Sequence, residues 1–480
     1  MKTKSGLRRP LVLCASAILA GSSAYAGNTW DGGGSDGNWS TNANWDSDTA
    51  PGYGTLTFAG STRTTNIVDA NYNMNMLLWT GSSAWTLNNS GGSVVSLYDN
   101  SGAAAKLENQ STGLATINAP ITFAATGGAA WGEINAVGGD MTFGSGTLTV
   151  NGSAVNGIKM FSSGRTITYN NTVSATGKYF ATTGASGMTM NVGGAFTSGD
   201  IYLMNGSTLK LNSGGSISTS GLRLGGDFGT TLTQNLALGA TFQLTNLSGG
   251  QSFSSIINTV TSNTSGALLI DSQNTSGTNT LSSNVFLDSL LNVSQAAGGT
   301  LSMTGVVQNS AGLTKTGLGT LSLTNTNTFS GQLTVANGTL SIASINNVSA
   351  NGVLGNSANA VILGSSGNTG TLLYTDTTAT PSSTKPFSIA SGGTGVINVN
   401  NSATALTISG AFSGTGSFTK SGAGSLYLTT TNTGFNPGQI SITGGILRIG
   451  NNTATQLNAG SYAGNISIAS GSTLQIWSTS

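Results

Sequence analysis

The sequence predicts an all-β fold, a right-handed parallel β-helix whose coils stack into a solenoid. Short segments alternate apolar and polar residues and then break at Gly or Asn, as in "GTLSL" at 319–323, which is the pattern of half-buried strands. The 480 residues include 72 glycines, and only 6% are charged, whereas globular proteins average about 7% Gly and about one quarter charged residues. A strand pattern also recurs after 105 residues, between Lys315 and Lys420, which indicates stacked repeats.

The composition argues against several other classes of protein. Runs of Ala, Leu, Glu and Lys at the helical period are missing from the sequence, so we expect no extended helices. A hydrophobic fraction of 37% argues against a disordered chain. Tandem β-sandwich domains are the alternative all-β architecture, but the chain lacks regular Pro-marked boundaries and buried-Trp landmarks. The solenoid is therefore the preferred prediction.

Residues 1–26 have the pattern of a signal peptide. Four basic residues within the first nine precede an apolar run at 11–20 and the small-residue exit "AYA" at 24–26, and this order predicts export. A membrane anchor is the alternative, but the apolar run is too short to span a bilayer. The single cysteine, Cys14, lies inside this segment.

Removal of the signal leaves 454 residues with 11 basic side chains, 14 acidic side chains and no cysteine. The resulting net charge of −3 gives no basic field that would attract nucleic acid. Because disulfides are absent, the stability of the exported chain must come from repeated packing. We expect no membrane-spanning segment in this mature chain.

Residues 27–110 are predicted to form an N-terminal cap and the first coils. Three tryptophans and four aspartates crowd the opening of this region: Trp30, Trp39, Trp45, Asp31, Asp36, Asp46 and Asp48. The aspartates could bind Ca²⁺, but "DGGGSDG" lacks the oxygen spacing of a calcium loop, so Asx-turns are the preferred interpretation. The tryptophans could stack on sugars, but burial in a cap that covers the first coil is favoured.

Residues 111–300 continue as Gly-bounded strands such as "GTLTV" at 146–150, and no domain boundary is clear there. At roughly 20 residues per coil, the mature chain would make on the order of twenty coils, about 100 Å long at ~4.8 Å per coil. The 105-residue repeat spacing would then correspond to about five coils.

Residues 301–480 contain two copies of one pattern, at 312–342 and 416–449. In both copies a lysine is followed by two glycines, two alternating leucines, an aromatic residue and a closing Gly-x-Leu. The residues to which we assign a structural role are Gly312, Leu313, Lys315, Gly317, Gly319, Leu321, Leu323, Phe329, Gly331, Gly338, Leu340, Lys420, Gly422, Gly424, Leu426, Leu428, Phe435, Gly438, Gly445 and Leu447.

The first copy, "GLTKTGLGTLSLTNTNTFSGQLTVANGTLSI", resembles the passenger-associated transport repeat of bacterial autotransporters. The second copy is looser, with Gly434 and Pro437 inserted around Phe435. The resemblance implies an exported passenger whose repeats help it fold outside the cell, and contact with the outer-membrane translocation machinery. An autotransporter would continue into a translocating barrel after Ser480, so we expect a truncated product or a piece of a longer passenger.

The sequence offers little that could catalyse a reaction. It has no histidine, and its mature part has no cysteine, which removes most nucleophile–base pairs and soft-metal sites. The candidate acids are Asp46 with Asp48, Glu133 with Asp140, and Asp227 near Arg223; none of these pairs has a third partner. We therefore expect no catalytic residue, no cofactor and no metal.

Lys315 and Lys420 recur at the same repeat position, and no acid lies within 25 residues of either. A catalytic lysine would need a partner carboxylate in a dry pocket. We therefore expect a structural role in which the aliphatic stems lie along the solenoid and the ammonium groups reach water.

Two hypotheses about function follow. The preferred one is a non-enzymatic passenger-type rod, secreted or displayed at the surface of a bacterium, whose polar ladders adhere through many weak contacts to surface glycans or neighbouring cells. The alternative is a β-helix enzyme, a lyase or glycoside hydrolase, that cuts polysaccharides.

Overall fold

The computed structural model describes residues 28–99, 102–124, 131–151, 154–183, 187–225, 239–260, 267–430, 434–450 and 464–477. The predicted signal peptide, Cys14 and Asp227 lie outside these residues. In the described part the chain forms 49 β-strands and a single three-residue 3₁₀ helix, Asn42–Asn44. The expectation of an all-β protein without extended helices is confirmed for these residues.

The strands are short, most of them three to five residues long, and follow one another around the coils. In chain order they are β1 Asn28–Trp30, β2 Thr55–Phe58, β3 Thr65–Val68, β4 Tyr72–Met74, β5 Met76–Trp79, β6 Trp85–Asn89, β7 Val95–Leu97, β8 Lys106–Asn109, β9 Ala115–Ile117, β10 Ile121–Ala124, β11 Trp131–Ala136, β12 Met141–Phe143, β13 Leu148–Asn151, β14 Gly157–Met160, β15 Thr166–Tyr169, β16 Val173–Ala175, β17 Tyr179–Thr182, β18 Thr189–Val192, β19 Ala195–Ser198, β20 Ile201–Leu203, β21 Thr208–Leu211, β22 Ser216–Ser218, β23 Gly221–Leu224, β24 Ala240–Leu244 and β25 Ser252–Phe253.

The remaining strands run to the C-terminal end of the described chain. They are β26 Ile256–Thr259, β27 Leu268–Ser272, β28 Thr278–Leu281, β29 Val285–Leu287, β30 Leu291–Gln295, β31 Thr300–Met303, β32 Val307–Gln308, β33 Leu313–Thr316, β34 Thr320–Leu323, β35 Leu333–Val335, β36 Gly338–Ile342, β37 Val361–Leu363, β38 Thr369–Tyr374, β39 Ser382–Ser383, β40 Phe387–Ile389, β41 Thr394–Val399, β42 Ala405–Ile408, β43 Phe412–Gly414, β44 Ser417–Ser421, β45 Ser425–Leu428, β46 Gln439–Ile442, β47 Ile446–Ile449, β48 Asn465–Ile468 and β49 Thr473–Ile476.

These strands stack in parallel on three long faces. The first face runs β1-β2-β5-β8-β11-β14-β17-β20-β23-β26-β29-β32, and the second runs from β3 through β6 and β9 to β43. The third face consists of the sheet from β4 to β22 and then the sheet from β25 to β48. The first face ends at β32. In the last coils a five-stranded sheet, β39-β42-β45-β47-β49, takes its place in the order in which the chain visits the faces, after the third face.

The chain makes about 16 turns, which is fewer than the predicted twenty or so. The coils are longer than expected because their corners carry insertions: strand register spaces Leu321 and Leu340 by 19 residues but Leu222 and Ile257 by 35. At ~4.8 Å per turn the stack is about 75 Å long. The parallel solenoid is thus confirmed, and tandem sandwiches are excluded for the described strands. The right-handed sense stays a prediction, supported by the strong preference of parallel crossovers for that hand.

One continuous hydrophobic core fills the solenoid. Alternate strand residues point inward and are buried, including Leu321 and Leu426 from the two repeats. The outward residues between them are mostly Thr, Ser and Asn, which suit a solvated pleated surface. Because each short strand buries only one face, it is stable only when it pairs with the coils on either side.

The three tryptophans of the opening residues pack together at the start of the first face. Trp30, Trp39 and Trp45 are fully buried and pack edge-to-face, with ring centroids 5.1 Å (Trp30–Trp45) and 5.8 Å (Trp39–Trp45) apart. The indole nitrogen of Trp39 donates to Oδ1 of Asn66 at 3.0 Å. Stacking of these rings on an external sugar is therefore excluded, and the prediction of burial is confirmed. Asp36 accepts the backbone N–H of Asn38, an Asx-turn of the expected kind.

Candidate functional site

The two repeat copies adopt one local structure on different faces of the solenoid. The first copy supplies β33 to the second face and β34 to the third, and returns with β35 and β36. The second copy supplies β44 to the third face and β45 to the five-stranded sheet, and returns with β46 and β47. The copies are therefore separated by four turns, from β33 to β43, plus one face, and not by the predicted five coils. The motif thus builds a pair of strands and the corner between them on two different pairs of consecutive faces.

Lys315 lies at the first of these corners, and its position corrects the sequence interpretation. Its side chain is 0% exposed, so the ammonium group does not reach water. Nζ donates hydrogen bonds to the backbone carbonyls of Thr316 at 2.5 Å, Gly317 at 2.8 Å and Asn337 at 3.2 Å. The prediction failed because alternation on β33 places Lys315 on the inward register, beside Leu313.

Lys420 repeats this geometry in the second copy. It is also fully buried, and Nζ donates to the carbonyls of Ser421 at 2.7 Å, Gly422 at 2.9 Å and Gly444 at 3.0 Å. In each copy two acceptors belong to the lysine's own corner and the third belongs to the next coil. Burial lowers the pKa of both lysines to about 8, while the three carbonyl dipoles favour the charged form.

A third buried lysine, Lys385, was missed by the sequence analysis. Its Nζ donates to the carbonyls of Gly355 at 3.0 Å and Ser357 at 2.8 Å, and burial lowers its pKa to about 8. These acceptors lie in the second half of a long corner segment, 343–360, between β36 and β37. The available signal was alternation, because Ser383, Lys385 and Phe387 share the inward register.

In the coils before the first repeat, buried side-chain amides donate hydrogen bonds to the corner carbonyls. Nε2 of Gln295 donates to the carbonyls of Asn274 at 2.9 Å and Ala296 at 3.1 Å. Nδ2 of Asn274 donates in turn to the carbonyls of Ser276 and Gly277. Corner carbonyls turned away from the sheets need such donors, since a buried acceptor without a partner is costly. Lys315 continues this series with three charge-assisted bonds.

The other motif residues pack or turn the chain. The leucines and both phenylalanines of the predicted set are buried; Phe435 lies 4.8 Å from Phe412, centroid to centroid. Gly317, Gly338, Gly422 and Gly445 have φ between +63° and +78°, where glycine is favoured. A Cβ on Gly312, Gly319, Gly331 or Gly424 would collide with the adjacent coil, whereas one on Gly438 would lie 3.7 Å from its nearest neighbour.

Among the described residues, the candidate acids Glu133 and Asp140 have separate partners. Glu133 pairs with Lys106, while Asp140 accepts the backbone N–H of Thr166. Arg223 pairs with Asp200 at 2.7 Å, a partner that the sequence analysis did not consider. The described residues contain no cluster of three His, Cys, Asp or Glu side chains suited to a metal ion.

A second feature is the composition of the outward column of each face. On the third face, register aligns Asn73, Ser96, Thr122, Thr149, Ser174, Thr197 and Ser218, all small and polar. On the first face, the equivalent column is Met76, Lys106, Glu133, Lys159, Ala181, Tyr202, Arg223, Asn258 and Phe286. Of these two columns, the one on the first face therefore carries the large, charged and aromatic side chains.

We call the central part of this surface the outer strip. It consists of the outward residues from β8 to β23 that carry a charge or an aromatic ring: Lys106, Glu108, Trp131, Glu133, Lys159, Tyr179, Asp200, Tyr202 and Arg223. The strip has three cationic and three anionic side chains, so its net charge is zero.

One end of the outer strip is a paired ionic network. Nζ of Lys106 lies 2.9 Å from Glu133 and 3.5 Å from Glu108, and Asn135 donates to both carboxylates. Burial opposes ionisation of Glu108, but hydrogen bonds from Gln110 and Asn135 lower the pKa of its carboxyl group. These groups are ordered by their neighbours and present a fixed polar surface.

The other end is aromatic. The rings of Trp131 and Tyr179 are nearly parallel at 6.3 Å and pass over Gly157, which lies between them on β14. Tyr202 meets Tyr179 edge-on at 6.1 Å. Lys159 lies over Trp131 and Arg223 over Tyr202, with the cations 5.2 and 5.5 Å from the ring centroids. Tyr179 is 36% exposed.

Sequence reasoning missed the outer strip. The strip residues are far apart in the chain, and only the coil length brings every third strand to the same face. The signal was a departure from Thr and Ser at outward positions, but it is readable only once the strands are assigned to faces.

The passenger-associated-transport-repeat family matches residues 313–342 and 418–449. An autotransporter adhesin of Brucella suis biovar 1 (strain 1330), BmaC, is 40% identical over 130 residues, which are 26% of this chain. The chain spans only 4% of that relative. No solved structure is significantly similar to the chain.

These findings confirm the resemblance: the chain carries two passenger-associated transport repeats, at the positions where the sequence pattern placed them. Among the described residues, none of the helical structure is long and apolar enough to cross a membrane.

Proposed function

We propose that this chain is part of an autotransporter passenger that acts as a non-enzymatic adhesive rod on the outside of a bacterium. The observation that carries the proposal is that two passenger-associated transport repeats are built into a parallel solenoid. The likeness to an autotransporter adhesin supports adhesion as the activity. A stiff stack of about 16 turns would hold its outward faces away from the membrane and repeat weak contacts along its length.

We further propose that the repeats assist export because each new coil forms hydrogen bonds that stabilise the coil before it. Lys315 and Lys420 each lack their third acceptor until the next coil supplies the carbonyl of Asn337 or Gly444. Nearest-neighbour stabilisation of this kind lets a solenoid fold progressively from one coil to the next. The partner for this step would be the outer-membrane translocation machinery.

The proposed organisation is a signal peptide at 1–26, a cap with first coils at 27–110, a plain solenoid at 111–300, and a solenoid with both repeats at 301–480. Continuous pairing along the first face from β1 to β32 and along the second face from β3 to β43 supports one uninterrupted rod. Surface glycans or neighbouring cells are the proposed targets of adhesion.

Adhesion is tested with beads that carry the purified chain from residue 27 onward. These beads are compared with albumin-coated beads for attachment to cultured epithelial cells and to the bacteria themselves. We expect attachment above the albumin level that free chain competes away. Attachment no higher than on albumin beads to both kinds of cell would contradict the proposal.

The proposed absence of catalysis has its own test. The same chain is incubated with plant and bacterial polysaccharides, and new reducing ends and unsaturated products are measured over a day. We expect neither product. Product formation that is lost in Glu133→Gln or Asp200→Asn would instead support the polysaccharide-cutting alternative.

A further inference from the structure

We infer that the outer strip is a binding surface for a single chain of a neutral polysaccharide, lying along the solenoid axis. This inference rests on the proposed adhesive function and names the ligand class and the surface. The two faces differ in composition: the third-face column from Asn73 to Ser218 has only small polar residues, whereas the first-face column at the same coils has Lys106, Glu133, Lys159, Tyr202 and Arg223.

The size of the strip selects a narrow ligand. It crosses six strands of the first face, β8 to β23, so its length is about 24 Å at ~4.8 Å per step. Outward residues on one strand lie ~6.6 Å apart, so the strip is about 10 Å wide and covers roughly 250 Å². A stable protein–protein interface needs about 800 Å² on each partner. The strip is too small for a globular partner but matches one extended chain.

The charge of the strip selects a neutral ligand. Lys106, Lys159 and Arg223 are balanced by Glu108, Glu133 and Asp200. Two of the cations already contact carboxylates, Lys106 at 2.9 Å and Arg223 at 2.7 Å. A polyanion such as a sulphated glycan would be repelled by these acids as much as it was attracted by the bases. The paired groups still have lone pairs and N–H groups that hydroxyls can reach.

The aromatic residues select sugar rings. Trp131, Tyr179 and Tyr202 follow one another along the axis and contact each other at 6.1–6.3 Å. Their positions are fixed by neighbouring coils, so little side-chain freedom is lost when a ligand binds. Pyranose rings have apolar C–H faces that pack on aromatic side chains, and hydroxyl edges that bond to flanking charged groups. Aromatic rings alternating with fixed polar groups match that chemistry.

Binding is tested with the purified chain from residue 27 onward on an array of neutral hexose oligosaccharides of one to eight units, with sulphated and uronic-acid glycans on the same array. Affinities for the best oligosaccharide are then measured by calorimetry at low and high salt. We expect binding to neutral glycans only, affinity that rises with length up to about five units, one for each step of the strip, and little dependence on salt.

Variants locate the site. Tyr179→Thr and Tyr202→Thr give the first face the residue type found at outward positions elsewhere, and each is expected to weaken binding at least tenfold. Tyr202→Phe keeps the ring and should retain most of the affinity. Thr122→Ala and Thr149→Ala, on the third face, are matched controls that should leave binding unchanged. Thermal unfolding and circular dichroism check that each variant folds.

The outcomes separate this inference from the proposed function. If the chain adheres to cells but binds no neutral glycan, or binds sulphated glycans alone, the inference is overturned while adhesion stands. Unchanged glycan affinity in both tyrosine variants would also overturn it. If the beads fail to adhere to cells but the strip binds a neutral glycan, the adhesive proposal fails and the site stands.

Discussion

The ammonium group of Lys315 lies 3.2 Å from the backbone carbonyl oxygen of Asn337, which belongs to the next coil of the solenoid. The lysine that recurs in both repeats thus forms a hydrogen bond between two adjacent coils. Lys420 has the same relationship with Gly444 on other faces, so the contact belongs to the motif and not to one location.

Replacing Lys315 with methionine should loosen the corner that it holds. Lys315→Met keeps the apolar stem but leaves three carbonyls without their donor, at a net cost of about 2 kcal/mol after loss of the buried charge. Long solenoids need not unfold in one step, so hydrogen exchange is the suitable measurement. We expect faster exchange in β35 and β36. Lys210 is a partly exposed lysine on β21, so Lys210→Met is the control and should change hydrogen exchange little. Equal effects of the two substitutions would contradict a stabilising role for the Lys315 bond between coils.

The buried lysines should make the protein more stable as the pH rises from 8 to 10. Burial lowers the pKa of Lys315, Lys385 and Lys420 to about 8, while in the unfolded chain lysine titrates near 10.5. Between these values the unfolded chain binds more protons, so the free energy of unfolding increases with pH.

Above pH 10 the trend should reverse. Burial raises the pKa of Tyr72 to about 12, so the folded chain keeps a proton that the unfolded chain loses, and stability falls. Denaturant titrations at pH 7, 8, 9 and 10 measure the rising part, and the triple lysine-to-methionine variant should flatten it. A rise of equal size in that variant would show that other groups cause it.

The cap should depend on its buried indoles. Trp39→Ala removes a fully buried ring that contacts Trp45 and Phe58, and large-to-alanine changes in a core cost ~3–5 kcal/mol. The first coils should then exchange quickly and the open edge should promote aggregation, which light scattering detects. Trp477→Ala is the matched control, because that ring is 40% exposed. Similar aggregation of both variants would argue against capping by Trp39.

Substitution of the solenoid glycines should have three different costs. Gly338 has a φ of +73°, and an added Cβ would collide with the carbonyl of Gly317 in the coil below. Gly338→Ala should therefore lower the free energy of unfolding by about 2 kcal/mol or more. Gly214→Ala has a φ of +82° in open space and should cost about 1 kcal/mol. Gly438→Ala has neither feature and should be nearly neutral. Denaturant midpoints measure the order, and an equal cost at all three sites would contradict the close packing of coils.

The sequence predicted the solenoid, the burial of the opening tryptophans and the repeats because the patterns that indicate them are local. Alternation places Leu321 and Leu426 inward. Three tryptophans within 16 residues of each other can bury their rings against one another at the start of the solenoid. The same alternation placed Lys315 inward, but a charged residue is normally assigned to water. Burial of the Lys315 ammonium group is stabilised because the corner and the next coil together supply three carbonyl acceptors.

The length of each coil could not be predicted from one repeat spacing. Corner insertions such as 343–360 lengthen some coils without changing the strands. The second repeat therefore starts after four turns and one face, and not after the five coils that an even coil length would give. The outer strip depends on that coil length, since Lys106 and Arg223 share a face only when every third strand is in register.

Cross-linking of adjacent coils tests the central claim most directly, since residues 27–480 contain no cysteine. Thr320 and Thr339 are register partners on β34 and β36, and parallel neighbours lie ~4.8 Å apart, within the range that a disulfide bridges. With Thr320→Cys and Thr339→Cys introduced together, mild oxidation should give one intramolecular disulfide in nearly every molecule, identified by peptide mass. If the two thiols stay reduced, or link only different molecules, these coils do not stack in parallel.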